Sequence, residues 1–292
     1  MKKFLLDLIV TSIESLSDRH FLLKLTHAEP LPAALPGQFV EVRVDGSPST
    51  FLRRPISINN IDRARNELWL LVAAVGSGTR RLSQLHVGDT LNCLLPLGNS
   101  FSLPRAGERK LLVGGGVGMA PMYFLGKSMC DHGFRPSFLL GARTASDVLL
   151  IDEFRELGDV YVTTEDGSLG EQGFVTNHSV LAGAENPPQV GRDALSDALP
   201  LSAEADGELP GKPAKVPLTA FDSIATCGPK PMMMAVARYA KAHGLRCEVS
   251  LENMMACGLG ACLCCVEKTT TGNRCVCKDG PVFNIDELLW QI

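Results

Sequence analysis

The sequence predicts a multi-domain β and α/β protein, with an N-terminal β-barrel, a central parallel α/β sheet and a small C-terminal module. Three observations predict it. Short apolar segments separated by Pro and Gly turns fill residues 1–102, apolar strands alternate with helical segments over 103–248, and six of the ten cysteines lie within 249–292. Each of these patterns is typical of a different architecture.

The first domain contains six segments with the length and composition of β-strands. Pro and Gly turns separate them at the spacing that is typical of an antiparallel barrel. The segments are 4–13, 21–25, 38–44, 56–61, 67–75 and 90–95.

The second domain alternates buried strands with helical segments. This order predicts a parallel sheet with crossover helices. Within it, residues 182–217 are rich in Pro, Gly, Ala and Asp and contain no aromatic residue, which predicts a flexible insertion; a functional lid is the alternative. We expect strands at 110–113, 136–140, 160–164 and 223–226, and helices at 122–132, 151–157 and 231–243.

Composition excludes several classes of protein. The net charge is −4 and charges of both signs are mixed along the chain, so neither nucleic acid nor an anionic membrane is an expected partner. The apolar run from Leu111 to Leu125 is broken by glycines and a proline, so no membrane-spanning helix is expected. Local clustering of cysteines favours metal binding over disulfides, and hence a reducing, cytoplasmic compartment.

The cysteines of the C-terminal module have the spacing of a plant-type [2Fe–2S] site. Cys257, Cys262 and Cys265 form C-x4-C-x2-C, and Cys275 and Cys277 follow. Glycines at 258 and 260 allow the backbone to curl so that its N–H groups point at sulfur. A four-cysteine zinc site is the alternative, but it prefers two C-x2-C pairs and only one is present here.

Spacing does not settle every ligand of this site. Cys264 lies inside the C-x2-C and would point away if its neighbours converge. Either Cys275 or Cys277 can be the fourth ligand on spacing alone. Cys93, Cys130 and Cys247 are isolated and are expected to be core residues.

Two segments of the barrel have the chemistry of an anion site. Arg53 and Arg54 stand just before Pro55, Ile56 and Ser57; an arginine there can hold a phosphate, and the serine can present its hydroxyl to a ring nitrogen. Gly76 to Ser83, with Gly78 and Thr79, offers flexible backbone before a helical start. The alternative interpretation of the arginine segment is a pair of surface arginines at the start of a strand with no ligand.

The α/β domain contains two candidate nucleotide-binding turns. Gly114, Gly115, Gly116 and Gly118 follow a buried strand and open a helix, which favours dinucleotide binding over a merely tight turn. Cys227 and Gly228 occupy the same position in a later strand–helix unit. There Cys227 is a candidate contact to nicotinamide, or alternatively a buried thiol. Glu165 and Asp166 could accept hydrogen bonds from a ribose, or remain solvated turn residues.

Taken together, these motifs resemble one family along nearly the whole chain outside 182–217. The chain resembles the electron-transfer subunits of NAD-linked dihydroorotate dehydrogenase, which belong to the ferredoxin-reductase-like flavoproteins. The likeness rests on 54–57, 114–121, 164–168, 227–229, 257–262 and 276–283.

The resemblance implies a set of cofactors and residues. FAD would be bound by Arg54 to Ser57, by Leu71, Val72 and Ala73, and by Gly78 with Thr79. The resemblance assigns the cluster ligands to Cys257, Cys262, Cys265 and Cys277. The family motif at 276–283, which contains Cys277, selects it over Cys275. Ile56 stands where the wider group often has an aromatic residue, and the insertion is longer than expected of the family.

The resemblance also implies partners and a reaction. Electrons would pass from the flavin of a catalytic, FMN-containing subunit through the cluster and FAD to NAD⁺ in pyrimidine biosynthesis, in a heterotetramer with two subunits of each kind. No residue here is an obvious acid or base for the pyrimidine. The alternatives are the small subunit of an NADH-dependent ferredoxin:NADP⁺ oxidoreductase or sulfide dehydrogenase, and a zinc-binding interaction module.

Overall fold

The structure is a computed structural model that describes residues 2–181 and 221–292. The predicted insertion at 182–217 lies outside the described residues. Elsewhere the predicted strands and helices agree closely with the observed ones, and the predicted fold class is confirmed, but the strands at 171–172, 246–250, 266–269, 272–275 and 282–284 were not predicted. The predicted domain limits at residues 102 and 248 stay predictions.

The N-terminal domain is a closed barrel of six antiparallel strands in the order β1-β2-β5-β4-β3-β6. Its interior is filled by alternate apolar residues, as at Leu8 and Val10, which are fully buried while their neighbour Ile9 is exposed. A short helix, α1 (Ser77–Leu82), follows β5. The strands are β1 (Phe4–Ser15), β2 (His20–Thr26), β3 (Phe39–Val42), β4 (Arg54–Asp62), β5 (Glu67–Ala73) and β6 (Thr90–Leu97).

The second domain is a twisted sheet with helices on its faces. Five strands are parallel and central: β7 (Lys110–Gly115), β8 (Ser137–Ala142), β9 (Asp159–Thr164), β11 (Ser223–Cys227) and β12 (Arg246–Ser250). A two-residue strand, β10 (Glu171–Gln172), adds to the β9 edge. The helices are α2 (Met119–Asp131), α3 (Ile151–Leu157) and α4 (Lys230–Ala242).

The C-terminal module is joined to both domains. It contains the hairpin β13 (Val266–Thr269) and β14 (Gly272–Cys275), one helical turn, α5 (Val276–Asp279), and strand β15 (Val282–Asn284). Strand β15 pairs antiparallel with β12, so the tail extends the second sheet to seven strands. Asn99, just after the barrel, donates to the carbonyls of Asp279 (3.0 Å) and Val282 (2.9 Å).

Two contacts orient the barrel and the sheet relative to each other. Helix α2 packs against β4 of the barrel. The buried Lys110 at the start of β7 donates to Glu248 on β12 (2.7 Å) and to the carbonyl of Ser102 (2.6 Å), so the linker between the domains is held at the beginning of the central strand β7. Over the described ranges, no helix is long and apolar enough to cross a membrane.

Candidate cofactor sites

The cysteine loop is curled by three residues in left-handed backbone conformation. They are Gly258 (φ +63°), Gly260 (φ +79°) and Leu263 (φ +59°). Two backbone N–H groups of the loop consequently point at sulfur, from Leu259 to Cys257 Sγ (3.4 Å) and from Gly260 to Cys277 Sγ (3.1 Å). Such N–H groups stabilise the negative charge of thiolates.

Four cysteines lie in two pairs. The thiol of Cys262 is near enough to Cys257 to affect its pKa, and that of Cys265 affects the pKa of Cys277, whose N–H also donates to Sγ of Cys265 (3.4 Å). Within 2–181 and 221–292, no three His, Cys, Asp or Glu side chains are close enough together to bind one metal ion. Because a binuclear cluster takes two thiolates on each iron, the two pairs fit a [2Fe–2S] cluster better than a four-cysteine zinc site.

The pKa values of these thiols differ with their surroundings. Burial raises the pKa of Cys257, but hydrogen bonds from the N–H groups of Leu259 and Cys262 outweigh it and lower the pKa to about 6. Burial, followed by the side chain of Cys265, raises the pKa of Cys277 to about 12. The Cys257 end of the loop is therefore the end that favours thiolate before any metal binds.

The two other cysteines of the module have different environments. Cys264 is exposed, and its thiol is directed at the carbonyl of Met254 (3.7 Å), away from the pairs. Cys275 is half-buried, with its thiol at the carbonyl of Gly260 (3.8 Å). Cys277 is buried and its Sγ accepts the N–H of Gly260, which favours it over Cys275 as the fourth ligand.

The two predicted anion-binding segments of the barrel meet at Arg54 and Gly78. A Cβ atom on Gly78 would lie 2.9 Å from Nε of Arg54, so the guanidinium rests on the glycine backbone. Arg53 has another role, since it donates to the carbonyls of Glu41 (3.2 Å) and Asn92 (3.0 Å) and so ties barrel strands together. The hydroxyl of Thr79 accepts the N–H of Gly76 (3.1 Å) at the start of α1.

The remaining predicted flavin contacts lie on β4 and β5. Ser57 and Pro55 are half-buried, whereas Ile56 and Val72 pack into the barrel core. Ile56 and Val72 can therefore offer a cofactor only backbone atoms, because alternate residues of a strand face opposite sides. Leu71 packs instead on the side of α2, and Ala73 ends β5 half-buried.

The two predicted nucleotide turns pack directly on each other. A Cβ atom on Gly118 would lie 2.3 Å from the carbonyl oxygen of Cys227, and one on Gly115 would lie 2.6 Å from Sδ of Met232. Gly228, at φ +149°, lies against Gly115. Gly116 (φ +54°) faces open space, so it is the glycine best placed for a ligand, while Gly114 packs on Met119.

The side chains near the turn at Cys227 and Gly228 differ in how accessible they are to a ligand. Cys227 is buried, and burial followed by the charge of Glu252 raises the pKa of its thiol well above the usual range. Its Sγ lies 3.9 Å from Oε1 of Glu252. Near the end of β9, Asp166 accepts the N–H (3.0 Å) and hydroxyl (2.6 Å) of Ser168 and is a turn residue, which leaves Glu165 as the freer carboxylate for a ribose.

Several known proteins are similar to this chain along most of its length. A family model described as the iron–sulfur cluster binding domain of dihydroorotate dehydrogenase B matches residues 252–289. The dihydroorotate dehydrogenase B (NAD⁺) electron transfer subunit of Shouchella clausii is 38% identical over 261 residues, or 87% of this chain and 86% of that protein. The subunit of the same name from Bacillus caldolyticus is 34% identical over 96% of both chains. This chain belongs to that family.

Solved structures extend the comparison to the fold. A structure of an NADH-dependent reduced ferredoxin-NADP oxidoreductase matches with a TM-score of 0.76 and 26% identity, over 97% of this chain and 90% of that one. Phthalate dioxygenase reductase matches with a TM-score of 0.57 at 22% identity, over 81% and 64% of the two chains, and shows the fold alone. The resemblance predicted from the sequence is confirmed. The names of the family model and of the relative from Shouchella clausii agree with the expected iron–sulfur cluster and NAD.

Two carboxylate residues near the candidate cofactor sites, Glu41 and Glu252, were not predicted from the sequence. Glu41 on β3 is fully buried, and its carboxylate oxygens have no hydrogen-bond partner among the described residues. Burial, partly offset by Arg53 and Arg54, raises the pKa of Glu41 to about 7. Its Cγ would lie 2.8 Å from a Cβ atom on Gly258. Glu41 could have been noticed in the sequence as a charged residue within the apolar strand 39–42. The other missed residue is Glu252, a carboxylate that follows the last parallel strand, β12, by two residues.

Proposed function

We propose that this electron transfer subunit accepts electrons from a catalytic partner that oxidises dihydroorotate, and passes them through a [2Fe–2S] cluster and FAD to NAD⁺ in pyrimidine biosynthesis. One observation carries the proposal: the side chain of Glu41, one strand from Arg54, lies against Gly258 in the cysteine loop. The cluster can carry single electrons, whereas FAD can exchange both single electrons and a hydride.

The proposed FAD site lies on the barrel. Arg54 would bind the pyrophosphate, because its guanidinium is held beside Gly78 and Thr79. Ser57 would offer its hydroxyl to the isoalloxazine. The residues proposed to contact FAD are Arg54, Pro55, Ile56, Ser57, Leu71, Val72, Ala73, Gly78 and Thr79.

The proposed NAD site lies at the carboxyl edge of the parallel sheet, where open α/β sheets bind ligands. Gly116 is open to a phosphate, and Cys227 with Gly228 would border the nicotinamide. Gly114, Gly115 and Gly118 support the site indirectly by letting the turns pack closely.

The proposed cluster ligands are Cys257, Cys262, Cys265 and Cys277. Their arrangement in two pairs supports the assignment. All ten cysteines are free, and free thiols and iron–sulfur clusters both favour a reducing cytoplasm.

The proposed docking face for the partner surrounds the cysteine loop. Met254, Leu259 and Leu263 are exposed there by 84%, 47% and 64%, and Cys262 is exposed beside them. Large apolar side chains clustered at the surface mark interaction sites. We expect the partner to be an FMN-containing catalytic subunit, in a heterotetramer with two copies of each chain.

Purification of the native complex tests this function. The complex should reduce NAD⁺ when dihydroorotate is added, and the isolated chain should not oxidise dihydroorotate. Visible absorption of the isolated chain should show both flavin and iron–sulfur bands. A zinc-binding module would show neither, because zinc does not absorb visible light. Oxidation of dihydroorotate by the chain alone, or absence of iron and sulfide from anaerobic preparations, would contradict the proposal.

The second candidate is the small subunit of an NADH-dependent ferredoxin:NADP⁺ oxidoreductase, or of a sulfide dehydrogenase. The TM-score of 0.76 to the ferredoxin-NADP oxidoreductase structure favours the first of these. Mass spectrometry of the co-purified partner separates these candidates from the dihydroorotate dehydrogenase proposal, because only that proposal requires a partner flavoprotein that oxidises dihydroorotate.

A further inference from the structure

The cysteine module holds two thiols more than its two pairs require, Cys264 and Cys275. The thiols of Cys275 and Cys277 both contact one residue, Gly260. The N–H of Gly260 donates to Sγ of Cys277 (3.1 Å), and the thiol of Cys275 is directed at the carbonyl of Gly260 (3.8 Å). The two sulfurs therefore lie within the reach of one residue of the cysteine loop.

Several backbone contacts hold Cys275 beside the Cys265–Cys277 pair. It ends β14 opposite Val266, the residue that follows Cys265. Its N–H donates to Oδ2 of Asp279 (2.9 Å), and the N–H of Val276 donates to the carbonyl of Cys265 (3.1 Å). The position of Cys275 is thus set by the same turn that positions Cys277.

We propose that Cys275 is a reserve ligand of the iron–sulfur cluster, able to replace Cys277 on the same iron. This inference rests on the proposed function, since it requires a cluster. In the exchange, the iron–sulfur bond to Cys277 breaks and that thiolate takes up a proton, while the Cys275 thiol loses a proton and forms the new bond. No electron is gained or lost.

Cys264 provides a matched control. It is also a spare thiol of the same module, but it is exposed and directed at the carbonyl of Met254, not at the Gly260 residue. A thiol that is merely near in sequence should therefore fail to replace Cys277.

The test is anaerobic purification of the full-length chain as C275A, C277A, C275A/C277A and C264A/C277A. Iron and acid-labile sulfide are measured, with the EPR spectrum of the reduced protein, and circular dichroism checks folding. We expect C275A to match the wild type. C277A and C264A/C277A should keep about half or more of the cluster with shifted g-values, and C275A/C277A should keep less than about a tenth.

Other outcomes overturn the inference. If folded C277A loses as much iron as C275A/C277A, Cys275 cannot serve as a ligand. If C275A alone loses the cluster, Cys275 is a primary ligand and not a reserve. If C264A/C277A loses iron that C277A keeps, Cys264 is the replacement. A folded wild-type chain without iron would contradict the proposed function instead.

Discussion

The guanidinium of Arg54 rests on the backbone of Gly78, where a Cβ atom would lie 2.9 Å from its Nε. The contact joins two segments that are separated by more than twenty residues in sequence, and it leaves the arginine beside the start of α1. Any side chain at position 78 must displace the guanidinium.

Gly78→Ala should therefore weaken FAD binding. We expect the dissociation constant of FAD to rise about tenfold, which corresponds to about 1.4 kcal/mol. Fluorescence titration of the apoprotein measures it. Gly76→Ala is the matched control, because nothing lies within 4 Å of a Cβ atom there. An equal effect of both substitutions would show that the Arg54 contact is not the cause.

Arg53 and Arg54 should give opposite results when each is replaced by alanine. Arg53→Ala removes hydrogen bonds to the carbonyls of Glu41 and Asn92 and should lower the free energy of unfolding by roughly 1 to 3 kcal/mol. Arg54→Ala should weaken FAD binding with little change in apoprotein stability. Urea unfolding and FAD titration of both variants check this; the reverse assignment would refute the proposed FAD site.

Glu41 should make the stability of the apoprotein depend on pH. Its pKa rises from 4.5 in the unfolded chain to about 7 in the folded one, so the folded state binds the extra proton between these values. The stabilisation is present below pH 4.5 and is lost as the pH rises through 7.

Glu41→Gln should remove this dependence. At pH 8 we expect the variant to be more stable than the wild type by roughly 1 to 3 kcal/mol, and at pH 5 the difference should shrink. Urea unfolding of both apoproteins at the two pH values measures it. A difference that is the same at both pH values would contradict a raised pKa.

Asn99 should hold the cysteine module against the barrel. Its side chain donates to Asp279 and Val282 and accepts the N–H of Val282 (3.0 Å). Asn99→Ala should increase amide hydrogen exchange over residues 252–289 by about tenfold, equivalent to about 1.4 kcal/mol. Asn273→Ala, at an exposed position on β14, is the control and should leave exchange unchanged.

Met254 should contribute to binding of the partner subunit. Met254→Glu places a charge on the proposed docking face and should weaken the complex by about tenfold or more. Leu5→Glu, at a 61% exposed position on the barrel strand β1, is the control. Analytical ultracentrifugation of the mixed subunits measures both, and similar losses for the two variants would argue against this face.

The architecture and the kinds of site could be predicted from the amino-acid sequence. Strand alternation, glycine-rich turns after buried strands and the spacing of Cys257, Cys262 and Cys265 are local patterns, and local patterns are set by backbone periodicity and turn geometry. They predicted the barrel, the parallel sheet and the cluster loop, and the family comparisons bear out the fold and the family.

How those parts meet became visible in the folded chain. It gives Arg53 hydrogen bonds across the barrel strands but Arg54 only local ones, to the carbonyls of Leu52 and Arg53. It also packs Gly118 on Cys227, places Glu41 against Gly258, and joins β15 to β12. None of these contacts follows from spacing, because each depends on which residues far apart in the chain become neighbours when the cores pack. Cys275 and Cys277, which spacing alone could not distinguish, also meet Gly260 differently: its N–H donates to Sγ of Cys277, and its carbonyl faces the thiol of Cys275.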